Sequence, residues 1–295
     1  MANLKEIRTR IASVTSTRQI TSAMKMVSAA KLRKAQDAIT QLRPYAEKMT
    51  EILSAISDSL KEDESNPFVI EKETEKVLLV VITSNKGLCG AFNSSIVKKV
   101  NYLAEEKYAR QRYRNNVHLL IIGKKAFDHF KRRDIEIIQN RSHLFDDLSY
   151  ENVSSLALEI INLFLDGQYD KIELVYNQFV NAAVQKLMEE QFLPLKVEEP
   201  HKEPVKGTFT DYIFEPSKKY IVTELIPKSL KLQLFKALLD SHASEHGARM
   251  TAMHKATDNA TELLKDLRLE YNKARQANIT NEILEIVSGA NALEG

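Results

Sequence analysis

Two short stretches of the sequence carry residue types that could bind a ligand or do chemistry. The first is SNKGLCGAFNSS, residues 84–95, between a predicted strand and a predicted helix. Backbone N–H groups at such a helix start can hold phosphate, but the G-x-x-G spacing matches neither the dinucleotide nor the P-loop pattern. No acidic ribose partner follows the second predicted strand. We therefore interpret this stretch as a tight turn, with a Rossmann-like nucleotide-binding enzyme as the alternative.

Cys89 lies within that stretch and is the one cysteine of the chain. It excludes a disulfide within the chain and fits a reducing, cytosolic compartment. A nucleophilic thiol would need a histidine beside it, and the sequence does not place His118, His129 or His143 there. A small buried residue is the favoured interpretation.

The second stretch is HASEH, which puts His242 and His246 at i, i+4 on a predicted helix that also carries His254. This is the spacing of a helical metal pair, but the H-E-x-x-H pattern and a clear carboxylate or cysteine cluster are missing. Seam or surface histidines are therefore favoured. The sequence predicts no catalytic residue, no metal and no cofactor.

The two ends of the chain are predicted to be long helices. No glycine precedes Gly87, and no proline follows Pro227. Apolar and small residues repeat every seven positions, which indicates a coiled coil. The first column is Ile7, Val14, Thr21, Ser28, Ala35, Leu42, Met49 and Ile56, and the matching C-terminal column is Leu232, Leu239, His246, Met253, Ala260, Leu267, Ala274 and Asn281. We expect helices over residues 1–60 and 225–295 to pair antiparallel.

One part of the first helix breaks this pattern. From Arg18 to Ser28 the seam columns turn polar, while an apolar stripe runs through Ile20, Met24 and Val27. We expect the seam to rotate there or to face something else. Pro44 is expected to kink the helix or to end its first part.

The middle of the chain, residues 75–215, reads as a Rossmann-like α/β domain with a mostly parallel sheet. Continuous apolar runs are typical of strands buried on both faces, and helical stretches alternate with them. The predicted strands are Lys76–Ser84, Val117–Gly123, Ile135–Gln139 and Lys171–Phe179; the predicted helices are Ser94–Arg114, Lys124–Arg132 and Glu151–Asp166.

Positive charge is concentrated in the first helix. Residues 1–48 hold ten Lys/Arg and three Asp/Glu, a net charge of +7, although the whole chain carries +2. Such a face suits nucleic acid, anionic lipid or an acidic protein surface, or is simply solvated. The lack of Trp and of interleaved aromatic and basic residues argues against a single-strand nucleic-acid platform. No apolar run approaches the roughly 20 residues that span a bilayer.

Three stretches are similar to one known family. Residues 5–36 resemble the start of the F-type ATP synthase gamma subunit of the bacterial type. SNKGLCGAFN, residues 84–93, resembles its domain turn, and residues 248–293 resemble its C-terminal helix. The resemblance implies a non-catalytic central shaft that turns inside a ring of three alpha and three beta subunits. Its α/β domain is the foot on the proton-driven c-ring, together with epsilon, at the cytoplasmic face of the bacterial inner membrane.

The resemblance also implies functional residues. Met24, Lys25, Arg249, Gln276 and Thr280 match positions that contact beta, and Phe214 with Glu215 matches the foot near the rotor ring. From the residues alone, Met24 also fits the helix seam, Thr280 fits an N-cap, and Arg249 and Gln276 fit solvated positions. The resemblance further implies that the basic face, with Arg33 and Lys34, meets an acidic lever of beta.

Overall fold

The structure, a computed structural model, describes residues 4–55, 68, 73–195 and 218–294. Its contacts divide the chain into two compact units, one from residues 1–29 and 249–295, the other from residues 30–248. The helices are α1 Leu4–Ala55, α2 Phe92–Tyr102, α3 Ala109–Tyr113, α4 Lys124–Phe130, α5 Tyr150–Leu165 and α6 Lys218–Glu294, with a π-helix at Leu103–Lys107 and a 3₁₀-helix at Ser142–Phe145. The strands are β1 Val77–Ile82, β2 Val117–Ile122, β3 Glu136–Asn140, β4 Lys171–Phe179 and β5 Gln185–Leu193.

The five strands form one sheet in the order β3-β2-β1-β4-β5. The first four run parallel, as their buried apolar runs predict, and β5 pairs antiparallel with β4. Strand β5 was not predicted from the sequence. Its sequence, QKLMEEQFL, is mostly polar because an edge strand can leave many side chains partly exposed.

The core of the α/β domain lies on both faces of this sheet. Every residue of β1 is fully buried. Alternate residues Leu78, Val80 and Ile82 pack in a cluster with α5 and the start of α6, while Val77, Leu79 and Val81 pack in a second cluster with α2 and α4. Since side chains alternate along a strand, a strand covered on both faces must be apolar throughout.

The helix predicted at Ser94–Arg114 is interrupted by the π-helix, which turns Lys107 and Tyr108 toward a buried carboxylate on β4. Glu173 Oε1 accepts hydrogen bonds from Tyr108 Oη at 2.6 Å and from Lys107 Nζ at 2.7 Å. Lys107 also pairs with Glu189 on β5. Burial alone would lower the pKa of Lys107, but its bonds to the two carboxylates raise it overall, while burial and Glu173 raise the pKa of Tyr108. This network explains the interruption, because an unbroken α-helix would rotate these side chains away from Glu173.

Both terminal helices run through their prolines. Pro44 lies inside α1 and Pro227 inside α6, so the prediction that Pro44 could end a helix is wrong. Proline removes one intrahelical hydrogen bond, a loss that the remaining contacts of these long helices tolerate. The helix α6 also begins before the predicted position 225, at Lys218. Residues 56–60 of the predicted first helix lie outside the described residues.

Candidate partner-binding surface

The unit that contains both chain ends is an antiparallel helix pair, as predicted. The hydroxyls of Thr21 and Thr257 are 2.8 Å apart, and Lys25 Nζ donates to His254 Nδ1 at 3.4 Å. Partner numbers fall along α6 as they rise along α1, which fixes the antiparallel direction. The apolar residues buried in this unit are Ile7, Met253, Ala260, Leu264 and Leu267.

The seam between these helices does not rotate where the heptad turns polar, so the first of the two expected alternatives is wrong. Thr21 and Ser28 stay in the seam at 8% and 3% exposure, whereas Ile20 and Val27 are 59% and 58% exposed. The Thr21 hydroxyl donates to the Arg18 carbonyl oxygen, so it accepts from Thr257. A buried hydroxyl that is hydrogen-bonded carries little penalty, and small side chains let the two backbones approach closely.

The outward face of α1 therefore combines exposed apolar side chains with basic ones. Ile20, Met26 and Val27 are all more than half exposed. Arg8 and Arg10 are exposed nearby along the same helix. An apolar and cationic surface of this kind suits a partner with acidic and apolar side chains.

The last part of α6 presents a second exposed surface, which was not predicted from the sequence. Every residue from 275 to 291 is exposed. Large apolar residues recur there at helical spacing, at Ile279, Ile283, Leu284, Ile286 and Val287. The i, i+4, i+7, i+8 periodicity of ITNEILEIV could have identified this stripe, because such a face is normally buried against another element. We call residues 275–291 the tip segment.

The predicted beta-contact residues fall at two levels of this helix pair. Met24 and Lys25 are half-buried beside the position of His254, and Gln276 and Thr280 lie in the tip segment. The rise of an α-helix puts residues 254 and 276 about 33 Å apart. The structure therefore brings Gln276 together with Thr280, but not with Met24 or Lys25.

Two of the alternative interpretations from sequence are wrong. Thr280 is no N-cap, since it lies within α6 and its hydroxyl donates to the Gln276 carbonyl oxygen at 2.9 Å. Arg249 is no solvated side chain, since it is 6% exposed. Gln276 is exposed, as the solvated interpretation expects. Phe214 and Glu215 lie outside the described residues.

Hydrogen bonds between polar groups of the turn after β1 hold this turn together, which favours its interpretation as a structural turn. Ser84 N donates to Asn93 Oδ1 at 3.0 Å, the Ser84 hydroxyl donates to the Lys86 carbonyl oxygen, and Asn93 Nδ2 donates to Cys89 Sγ at 3.2 Å. Cys89 is fully buried, as predicted. Gly123 follows the neighbouring strand with φ near 121°, and a Cβ there would lie 2.0 Å from the Thr83 carbonyl oxygen. This contact explains why glycine is required at that position.

Within the described ranges, no helix is both long and apolar enough to cross a membrane.

Comparison with known proteins gives one consistent result. A family model described as ATP synthase matches residues 3–293. The ATP synthase gamma chain of Christiangramia forsetii is 60% identical over 295 residues, covering 100% of both chains, and that of Cytophaga hutchinsonii is 53% identical over 99% of both. Among solved structures, a chain of the Euglena gracilis mitochondrial ATP synthase aligns with a TM-score of 0.69 at 23% identity, covering 98% of this chain and 94% of that one.

A second solved structure, of the central stalk and c-ring of the Tetrahymena thermophila mitochondrial ATP synthase, contains a chain that aligns with a TM-score of 0.58 at 27% identity. The alignment covers 80% of this chain and 99% of that one. The family model and the gamma chains extend over essentially the full sequence, through both terminal helices and the α/β domain. The chain therefore belongs to the ATP synthase gamma chain family.

Proposed function

We propose that this chain is the central shaft of a proton-translocating F-type ATP synthase. It couples ion flow through the membrane rotor ring to ATP synthesis by rotating inside a ring of three alpha and three beta subunits. It is a non-catalytic subunit, so the bonds of ATP are made and broken in other chains. Family membership and the similarity to central-stalk structures support this function.

The observation that carries the proposal is the exposed tip segment. An isolated chain gains nothing by placing Ile279, Ile283 and Ile286 on a helix surface in water, since burying each would contribute about 1.5–3 kcal/mol. A partner that surrounds the helix end accounts for this stripe. The enclosing alpha and beta subunits are that partner in the proposed function.

The contacts with beta belong to two levels of the shaft. Gln276 and Thr280 are exposed in the tip segment and offer polar groups to a loop of beta. Met24 and Lys25 lie next to the exposed Ile20 and Val27, where the lever segment of beta passes. Arg249 is 6% exposed in this chain, so a contact with beta would involve only the small accessible part of this residue.

The α/β domain is the foot of the shaft. We assign three parts to the chain: residues 1–60, residues 75–215, and residues 225–295. Phe214 and Glu215 contact the rotor ring or epsilon. The chain is peripheral to the cytoplasmic face of the bacterial inner membrane and reaches it through the rotor ring.

Co-purification tests this function. The chain is expressed with alpha and beta subunits from the same source, and the expected product has one copy per three of each and hydrolyses ATP. Failure of the chain to join folded alpha and beta subunits would contradict the proposal. Nucleotide titration of the isolated chain distinguishes the Rossmann-like enzyme, which would bind tightly, whereas the shaft shows negligible binding.

The basic face is tested by charge reversal. Arg33 and Lys34 are exposed on α1, and we expect Arg33→Glu with Lys34→Glu to lower ATP-driven proton pumping at least fivefold by repelling the acidic lever. The matched control is Arg132→Glu with Arg133→Glu, an exposed basic pair in the α/β domain. Unchanged assembly and pumping in the first variant would contradict the proposed role of the basic face.

A further inference from the structure

One pair of histidines has a geometry that the proposed function does not use. His242 and His246 lie one helical turn apart on α6, in the unit formed by residues 30–248. Their Nε2 atoms are 3.2 Å apart and their rings are nearly perpendicular, at 89°. The two nitrogens therefore face each other at hydrogen-bonding distance.

This separation matches that of two ligands on one metal ion. Imidazole nitrogens bind zinc at about 2.0–2.1 Å, and two such nitrogens lie between about 2.9 Å apart at a right angle and about 3.3 Å at the tetrahedral angle. The observed 3.2 Å falls within this interval. An ion could thus enter without a change in the distance between the two nitrogens.

The surroundings hold the rings in this arrangement. Phe145, from the 3₁₀-helix after β3, stacks on His242 with the planes 18° apart and the centroids at 6.1 Å. His246 is 5% exposed, and His242 is half-buried. Both side chains come from one continuous helix, whose backbone fixes the distance between their Cβ atoms. Little rotamer freedom remains to be lost on binding, which favours affinity.

We propose that His242 and His246 form a bidentate site for a divalent transition-metal ion of the class that prefers imidazole, represented by Zn²⁺, Ni²⁺ and Cu²⁺. This site should not bind ions that prefer oxygen ligands, such as Mg²⁺. Among the residues that the structure describes, no group of three or more His, Cys, Asp or Glu is placed to hold an ion.

Binding is a ligand exchange that conserves charge and atoms. Without metal, an Nε2–Nε2 contact of 3.2 Å requires one nitrogen to carry a proton and the other to accept it. The ion takes both Nε2 lone pairs, and the proton that one ring carried on Nε2 moves to the Nδ1 of the same ring, so both imidazoles stay neutral. Neutral imidazoles are the binding form.

Isothermal titration of the chelator-treated full chain with ZnCl₂ and with NiCl₂ tests the site. We expect one ion per chain at pH 7.5 and no heat with MgCl₂. His242→Gln should weaken binding at least tenfold, because one nitrogen of the pair is removed. Circular dichroism of that variant establishes that its helices are intact.

The matched control is His254→Gln, which removes a histidine from the same helix. His254 is exposed, and its Nδ1 lies 3.2 Å from Asp258. This variant therefore shows how much of the metal binding comes from a single surface histidine with a nearby carboxylate. Titration in a Cys89→Ser background removes the one thiol. The proposal is overturned if Zn²⁺ and Ni²⁺ fail to bind up to 1 mM, or if binding is lost in His254→Gln and kept in His242→Gln.

A spectroscopic readout keeps the test independent of folding defects in the variants. Cu²⁺ bound to the unmodified chain should give an electron paramagnetic resonance spectrum with coupling to two equivalent imidazole nitrogens. Coupling to one nitrogen only would contradict a bidentate site.

Discussion

The helix pair of the chain ends and the α/β domain bury their contacts in different ways. In the domain, β1 is a run of six apolar residues with no exposed surface. In the helix pair, the seam includes Thr21, Ser28 and Ala260, while Ile20, Val27 and the apolar tip segment face outward. The domain thus has a continuous apolar interior, whereas the helix pair leaves several large apolar side chains exposed.

Removal of a core side chain of the α/β domain should have the largest effect on the free energy of unfolding. Leu79→Ala should lower the free energy of unfolding by about 3 kcal/mol, because Leu79 is fully buried and the change leaves a cavity. Urea denaturation followed by circular dichroism measures this loss. Leu269→Ala, at an exposed position of α6, is the control and should cost less than about 0.5 kcal/mol. Equal losses in the two variants would contradict the distinction between the regions.

A buried carboxyl makes one part of the domain unit sensitive to pH. Burial raises the pKa of Asp240 to about 6, although Lys236 and Arg43 oppose this shift. Its ordinary pKa is about 3.9, so the native state binds the proton more tightly than the unfolded state. The stabilisation from that proton is fully present below pH 4 and is lost as the pH rises through 6.

Asp240→Asn should therefore stabilise the chain by about 2 kcal/mol at pH 8 and by much less at pH 4.5, after a discount for partial solvation. The asparagine side-chain oxygen can still accept the hydrogen bond from the Phe179 backbone that Asp240 accepts. Thermal unfolding at the two pH values measures the difference. Asp258→Asn, at an exposed carboxyl of α6, serves as control. A stabilisation that does not depend on pH would contradict the assignment.

The polar seam of the helix pair should show a smaller effect. Thr21→Val and Thr257→Val each remove one hydroxyl of the hydrogen-bonded pair and should cost about 0.5–1 kcal/mol. The double variant should be close to neutral, because no unpaired hydroxyl of this pair remains. A double-mutant cycle by denaturation gives the coupling between them. Strict additivity of the two changes would mean that the hydrogen bond adds nothing.

The tip segment should show the smallest effect on the isolated chain. Ile283→Ser with Ile286→Ser should change its free energy of unfolding by less than about 0.5 kcal/mol, because both side chains are already exposed. The same variant should lower the yield of the complex with alpha and beta subunits several-fold. Glu282→Ser with Glu285→Ser is the polar control in the same turns. Full assembly of the isoleucine variant would show that the stripe makes no essential contact.

The parallel strands and the terminal helices could be predicted because each depends mainly on its own pattern. VLLVVI and VHLLII are apolar at nearly every position, which only a strand covered on both faces requires. The heptad columns named Ile7, Met253 and Leu267 as seam residues, and the structure buries all three. The resemblance to the gamma subunit could also be detected from the sequence, because its motifs lie in continuous stretches of residues.

The sequence by itself thus determined the parallel strands, the two long helices and the family of this chain. Only the tertiary structure decided the rest. It placed Thr21 rather than Ile20 in the seam because α6 brings Thr257 within hydrogen-bonding distance. It made an edge strand of polar QKLMEEQFL because β4 offered its free edge, and it broke the predicted helix at Leu103–Lys107 because Glu173 lies across from it. The physical reason is the same in each case: local periodicity reports which residues are apolar, but distant residues decide which face is covered.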